Sequence, residues 1–128
     1  MGKPDRHVFD LTVDAAGDAT VYTNGVISGT IEQVTYVPDG TAPLDTGADI
    51  TITGEDSTMA IITITNFGTA LATFAPRQVE HDVASAPALY AAAGEAVKGK
   101  MKMANERIKV VVAQGGVSKT GKLHIVTC

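Results

Sequence analysis

Short stretches rich in Val, Ile, Thr and Tyr recur along the chain at intervals of about ten residues, each bounded by Gly, Asp, Asn or Pro, which is the pattern of an all-β protein. Asp49 to Thr53 (DITIT) alternates strictly, so Ile50 and Ile52 share one face of a strand and the threonines the other. Gly54 to Ser57 reads as a turn. Met59 to Thr65 (MAIITIT) then returns with Ile62 and Ile64 inward, broken by Asn66-Phe67-Gly68. Upstream, Phe9 to Val13 and Ala19 to Thr23 flank Asp14 to Asp18. Gly17 can take positive φ there and the acids can cap the turn, so a first hairpin is predicted. Ser28 to Val37 is the longest expected strand, ended by Pro38-Asp39-Gly40 and a polar loop to Gly47.

The middle is less regular. Thr69 to Phe74 reads as a further strand and Ala75 to Ser85 as a long loop. Ala88 to Lys98 has helix propensity, but Pro87 precedes it and Gly94 and Gly99 interrupt it, so short strands or one brief helix are expected. Glu106 to Ala113 and Lys122 to Thr127 are β-rich runs that predict a C-terminal hairpin over 106–127. Alternating strands without crossover helices give antiparallel pairing. The expectation is a single domain over 1–128, an antiparallel β-sandwich or barrel of about eight or nine strands. At most one short helix is expected, with residues 1–7 as an N-terminal arm and Ile52 and Val110 in the core.

Composition narrows the class. Of 128 residues, 45% are hydrophobic and 19% charged, which excludes a disordered chain. The single cysteine, Cys128, excludes an internal disulfide framework. No apolar run is long enough to span a bilayer as a helix, and the first residues carry no apolar segment of the secretory kind, so neither membrane contact nor a signal is expected.

The net charge of −4 hides a division. From Val8 to Pro76 there is no Lys or Arg against nine acids; from Arg77 to Cys128 eight basic residues face four acids. Two readings follow. The halves pack together and their charges balance across one surface, or acidic and basic faces of neighbouring copies meet in a symmetric homo-oligomer. The second reading makes Lys98, Lys100, Lys102, Arg107 and Lys109 candidate contacts, met by Asp45, Asp49, Glu55 and Asp56.

Candidate chemistry is thin. Gly116 to Lys122 fits the first seven positions of a phosphate-binding loop. Leu123 then stands where a hydroxyl should reach magnesium, and too few residues follow to open a helix, so a glycine-bearing loop is expected instead. Ser28, Ser57, Ser85 and Ser118 sit in apparent turns, and no spacing joins one of them to His7, His81 or His124 as a nucleophile and base. In Glu80-His81-Asp82 an extended backbone would turn His81 away from both neighbours. Asp39, Asp45 and Asp49 could offer oxygens to calcium, but the EF-hand order is missing. The lysine stretch has no interleaved aromatics, which argues against direct nucleic-acid binding. No catalytic residue, cofactor or metal is assigned.

Two stretches carry a resemblance. Asp10 to Val37 (DLTVDAAGDATVYTNGVISGTIEQVTYV) and the region from Ala88 onward (LYAAAGEAV, then ANERIKVVVAQGGVSKTGKLHIVT) resemble small β-rich virion structural proteins from the head and neck genes of tailed bacteriophages. The resemblance implies a non-enzymatic oligomer in a particle, decorating the capsid or joining head to tail. Its partners would be copies of itself, a trimer first, and the major capsid or neck proteins; its location would be the virion, and the host cytoplasm during assembly. From another class, a small β-sandwich binding module using the loops at one end, or a hydrolase using Glu80, His81 or Asp82, are the alternatives.

Overall fold

The computed structural model describes residues 3–66 and 70–128, and its architecture follows from where the β-branched runs place their apolar side chains. Ten strands are present among the described residues: β1 Asp5–Thr12, β2 Ala19–Tyr22, β3 Ile27–Pro38, β4 Asp49–Gly54, β5 Ala60–Ile64, β6 Ala72–Phe74, β7 Arg77–Val79, β8 Lys98–Glu106, β9 Ile108–Ala113 and β10 Thr120–Thr127. They form two antiparallel sheets. The larger runs β1-β10-β3-β8-β7 with β6 also on β3, and the smaller runs β2-β9-β4-β5. The two sheets face one another as a β-sandwich, and no helix occurs among the described residues.

The core lies between the sheets. Ile50 and Ile52 on β4 and Ile108, Val110 and Val112 on β9 meet Leu11, Ile31, Val34, Tyr36, Leu123 and Ile125 from the larger sheet, all fully buried. Alternation explains most of this: β9 and β10 bury every second residue. On β3 the parity changes. The register with β10 shifts so that Glu32 is an extra residue between Gln33, opposite Val126, and Ile31, opposite Thr127. This bulge lets Ile31, Val34 and Tyr36 all point inward. A second shift, between β4 and β5, buries Ile61 beside Ile64, while Ile62 packs only partly against the core.

Several local expectations change. Residues 5–7 are not an arm: β1 begins at Asp5 and pairs with β10 from Thr127. The Phe9–Val13 and Ala19–Thr23 segments are strands but not a hairpin, because β1 pairs with β10 in one sheet and β2 with β9 in the other. The turn itself forms as expected, with Gly17 at φ 83° and Asp14 Oδ1 accepting from the Ala16 and Asp18 amides. The C-terminal hairpin over 106–127 is likewise replaced by a crossing: β9 and β10 lie in different sheets and 114–119 bridges them. Both segments bury their apolar face, and a sandwich satisfies that by placing the faces opposite each other as readily as side by side.

Glu106 ends β8 instead of starting β9. Ala88 to Lys98 forms no helix, and Leu89 and Ala96 make an isolated antiparallel bridge. The break expected at Phe67 and Gly68, and the Thr69 start of the next strand, lie outside the described residues; β6 begins at Ala72.

Candidate functional site

Of the residues singled out by charge, Lys98, Lys100 and Lys102 fall on one face of β8, exposed, because the alternate positions Met101 and Met103 are buried. β7 adds Arg77 directly opposite Lys100. Like charges opposed across a strand pair repel, and one carboxylate answers them: Lys100 Nζ lies 2.9 Å from Glu32 Oε1, on the bulge of β3. The Lys100 hydrogen bond, with help from Arg77, holds the Glu32 carboxyl below the usual range. Glu80 turns its carboxylate to the opposite face, over Gly99.

Arg107, Lys109, Glu55 and Asp56 gather elsewhere, where the β4–β5 turn meets the β8–β9 junction. Arg107 donates from Nε and Nη2 to the two Glu55 oxygens at 2.5 and 2.6 Å, and its guanidinium carbon stands 4.5 Å from the Tyr22 ring centre. This planar two-pronged geometry suits arginine. Lys109 lies opposite Tyr22 and Thr53 on the outer face of the smaller sheet. Beneath them Glu106 is buried and accepts from the Asp56 and Ser57 amides, both at 2.9 Å.

The remaining acids belong to loops. Asp49 Oδ1 accepts the Asn66 amide, and Asp39 Oδ2 accepts those of Thr41 and Ala42. Asp45 is exposed in the β3–β4 connection, its carboxylate close over Gly116. Among the described residues no three of His, Cys, Asp and Glu converge as metal ligands. Asp39, Asp45 and Asp49 each serve a separate place in the loop.

So three of the sequence-distant charge pairs close inside one chain: Glu32–Lys100, Glu55–Arg107 and Asp10–Lys122. The structure thereby realises the balanced-surface reading for those six residues. It leaves Lys98 and Lys102 without an acid partner among the described residues. Arg77, which the sequence did not single out, joins them only through strand register.

The depressed carboxylates set the pH dependence. Glu55 is lowered chiefly by its hydrogen bond to Arg107, Glu32 by Lys100, Glu106 by the Ser57 amide and Asp39 by the Ala42 amide. A carboxyl lowered in the folded state contributes stability above its unfolded pKa and loses it as pH falls through the folded one. The melting temperature is therefore expected to hold from neutral pH down to about pH 4.3, the ordinary carboxylate range, and to drop below it. Glu106→Gln should lower the neutral-pH value and flatten the acid slope. A thermal scan series in which the melting temperature rises toward acid would contradict this.

Two features are neither chemistry nor core. A groove of ≈ 380 Å³ runs between β1 and the β2–β3 connection, with His7 Nε2 3.1 Å from Thr127 Oγ1. From Glu80 to Val97 the chain leaves the sandwich as a doubly folded arm. Its segments are joined by hydrogen bonds from the Glu80 amide to the Val97 carbonyl, from Ala88 to Glu80 and from Val97 to Ala88. Every residue over 81–95 except Ala88 is exposed, Val83 fully and Tyr90 at 75%. His81 is an exposed bridge residue of this arm, opposite Pro87.

No family model matches the chain, and no curated protein matches it. Among solved structures, one described as "Crystal Structure of FLHE" is similar over 98% of both chains, at a TM-score of 0.43 and 8% identity. That likeness assigns no role to this chain.

Proposed function

We propose that the chain is a non-enzymatic structural subunit of a tailed-phage virion, assembling as a homo-oligomer on the capsid as a decoration or cement protein. The resemblance of Asp10–Val37 and of the chain from Ala88 onward supplies the virion setting. The observation that carries the assembly part is the arm over 80–97. It buries none of the core, yet holds Val83, Leu89 and Tyr90 in the open on a hydrogen-bonded β scaffold. Three exposed apolar side chains on one protruding segment support a contact surface there.

Removing the arm tests the reading. Because the Glu80 amide reaches the Val97 carbonyl, a two-residue turn can replace 81–95 without disturbing β7 or β8. The shortened protein is expected to melt near the parent temperature and to lose its oligomer by light scattering and its binding to capsid shells. An oligomer and shell affinity that survive the deletion would remove the arm from assembly. Trimers that bind shells fit decoration, whereas larger rings would place the subunit at the head–tail junction; a parent protein monomeric at every concentration and without affinity for virion components would end the proposal.

A further inference from the structure

We infer that the outer face of β7 and β8 docks the acidic loop end of a second copy of this chain. The inference rests on the homo-oligomer proposed above and names its two complementary surfaces. The receiving face carries Arg77, Lys98, Lys100 and Lys102 around the single carboxylate Glu32, a local balance of +3. The fold sets Arg77 and Lys100 directly opposite each other. Such an arrangement costs stability in the isolated chain and is relieved when an anionic surface covers it.

The chain carries a surface of matching sign at the end where three connections cross between the sheets. The connections there carry Asp14, Asp18, Asp39 and Asp45, all exposed, against Lys119, a balance of −3. These loops are held in place by backbone hydrogen bonds from Asp45 to Gly115 at 3.0 Å, Gly115 to Gly17 at 2.8 Å, Thr120 to Ala42 at 2.9 Å and Val13 to Lys119 at 3.1 Å. A pre-ordered surface loses little freedom on binding. The Ala42 and Thr41 amides that Asp39 accepts hold its carboxyl below the usual carboxylate range.

A polyanion such as nucleic acid fits the basic face less well. β7 and β8 carry no aromatic side chain on which a base could stack, and the chain as a whole carries −4 and repels an extended polyanion. A second copy brings the complementary charge on a compact end.

The contact joins two different surfaces. Repeated head to tail it closes a ring of three or more copies, and made reciprocally about a twofold axis it gives a dimer. Being electrostatic and exposed, it weakens with salt, since screening shortens to about 3 Å at 1 M.

Charge exchange tests the inference. Lys98→Glu with Lys102→Glu reverses the face while sparing the Lys100–Glu32 pair, and Asp18→Lys with Asp45→Lys reverses the end while sparing the caps made by Asp14 and Asp39. Thermal melts check that both fold, and Lys98→Gln with Lys102→Gln stands in if the first pair does not. By light scattering each variant is expected at the mass of a single chain where the parent is an oligomer. Carrying all four changes on one chain is expected to restore the parent oligomer, because every reversed face then meets a reversed end.

A parent oligomer untouched by either double change, or a loss that combining the four changes on one chain does not reverse, overturns this contact and leaves the homo-oligomer standing. A parent that is monomeric throughout sinks the assembly proposal itself. Tight binding of a duplex oligonucleotide, abolished by the Lys98 and Lys102 reversals with the oligomer unchanged, would assign the face to nucleic acid instead.

Discussion

Val110→Asp yields a chain with no cooperative folded state at neutral pH, and Ile52→Asp does the same. Both side chains are fully buried, and they sit directly opposite one another on β9 and β4 in the smaller sheet. Around them lie Val21, opposite Val110 on β2, and the apolar inner face of the larger sheet. A carboxylate there finds neither water nor a cation. Burying an unpaired charge costs several kcal/mol, comparable with the roughly 5–15 kcal/mol that holds a whole domain together. Graded changes at the same place calibrate the effect: Ile52→Val should cost about 0.5–1.5 kcal/mol and Ile52→Ala about 2–5 kcal/mol. Urea titrations followed by circular dichroism read all of these. Soluble Val110→Asp protein with a sharp unfolding transition would show that the sheets do not enclose this position.

Gly29→Ala is the second large loss, and its cause is backbone geometry. Gly29 takes φ 124°, a conformation that side-chain-bearing residues rarely adopt, and a Cβ there would stand 2.5 Å from the Cys128 carbonyl oxygen. That oxygen accepts the Thr30 amide at 3.0 Å, and the Cys128 amide returns a bond to the Thr30 carbonyl at 2.8 Å. The position lies next to the bulge where Ser28 Oγ accepts the Asn105 amide. Alanine therefore strains the chain by about 1–3 kcal/mol and pushes apart a hydrogen-bonded pair worth about 0.5–1.5 kcal/mol per bond. Gly40→Ala is the control: nothing lies within 4 Å of the added carbon, so it should be neutral or stabilise by up to about 1 kcal/mol. Equal midpoints for the two alanine variants would refute the argument.

The same two positions show what patterning can and cannot reveal. Ile52 is legible because a strict alternation leaves one face apolar, and an apolar face must be buried whatever covers it. The need for glycine at position 29 is invisible, since it arises where β3 passes the Cys128 backbone about a hundred residues away. The parity change at Glu32 is equally hidden. Read alone, Ser28 to Val37 is one strand, and only pairing with β10 shows the extra residue that sends Val34 and Tyr36 inward.

The candidate surface divides in the same way. Lys98, Lys100 and Lys102 alternate with Gly99, Met101 and Met103, and the pairing of β8 with β3 and β7 makes that stretch a strand with three cations on one face. Arg77 enters only because β7 pairs with β8, and Glu32 because the bulge of β3 lies against Lys100. Conversely Arg107 and Glu55, read as contacts between copies, satisfy each other within the chain. Residues far apart in sequence meet through pairing partners, which depend on which strands choose each other.

By itself the sequence determined the turns, the apolar faces and most of the strands, because these follow from backbone preference and a period of two; β7, inside the expected loop over 75–85, and β8 exist only through their pairing with each other and with β3. Tertiary structure decided which strands share a sheet: both connections read as hairpins, 14–18 and 114–119, pass from one sheet to the other. The physical reason is that an apolar strand face is satisfied equally by a neighbour beside it or a sheet across from it. Only the packing of the whole chain selects between them.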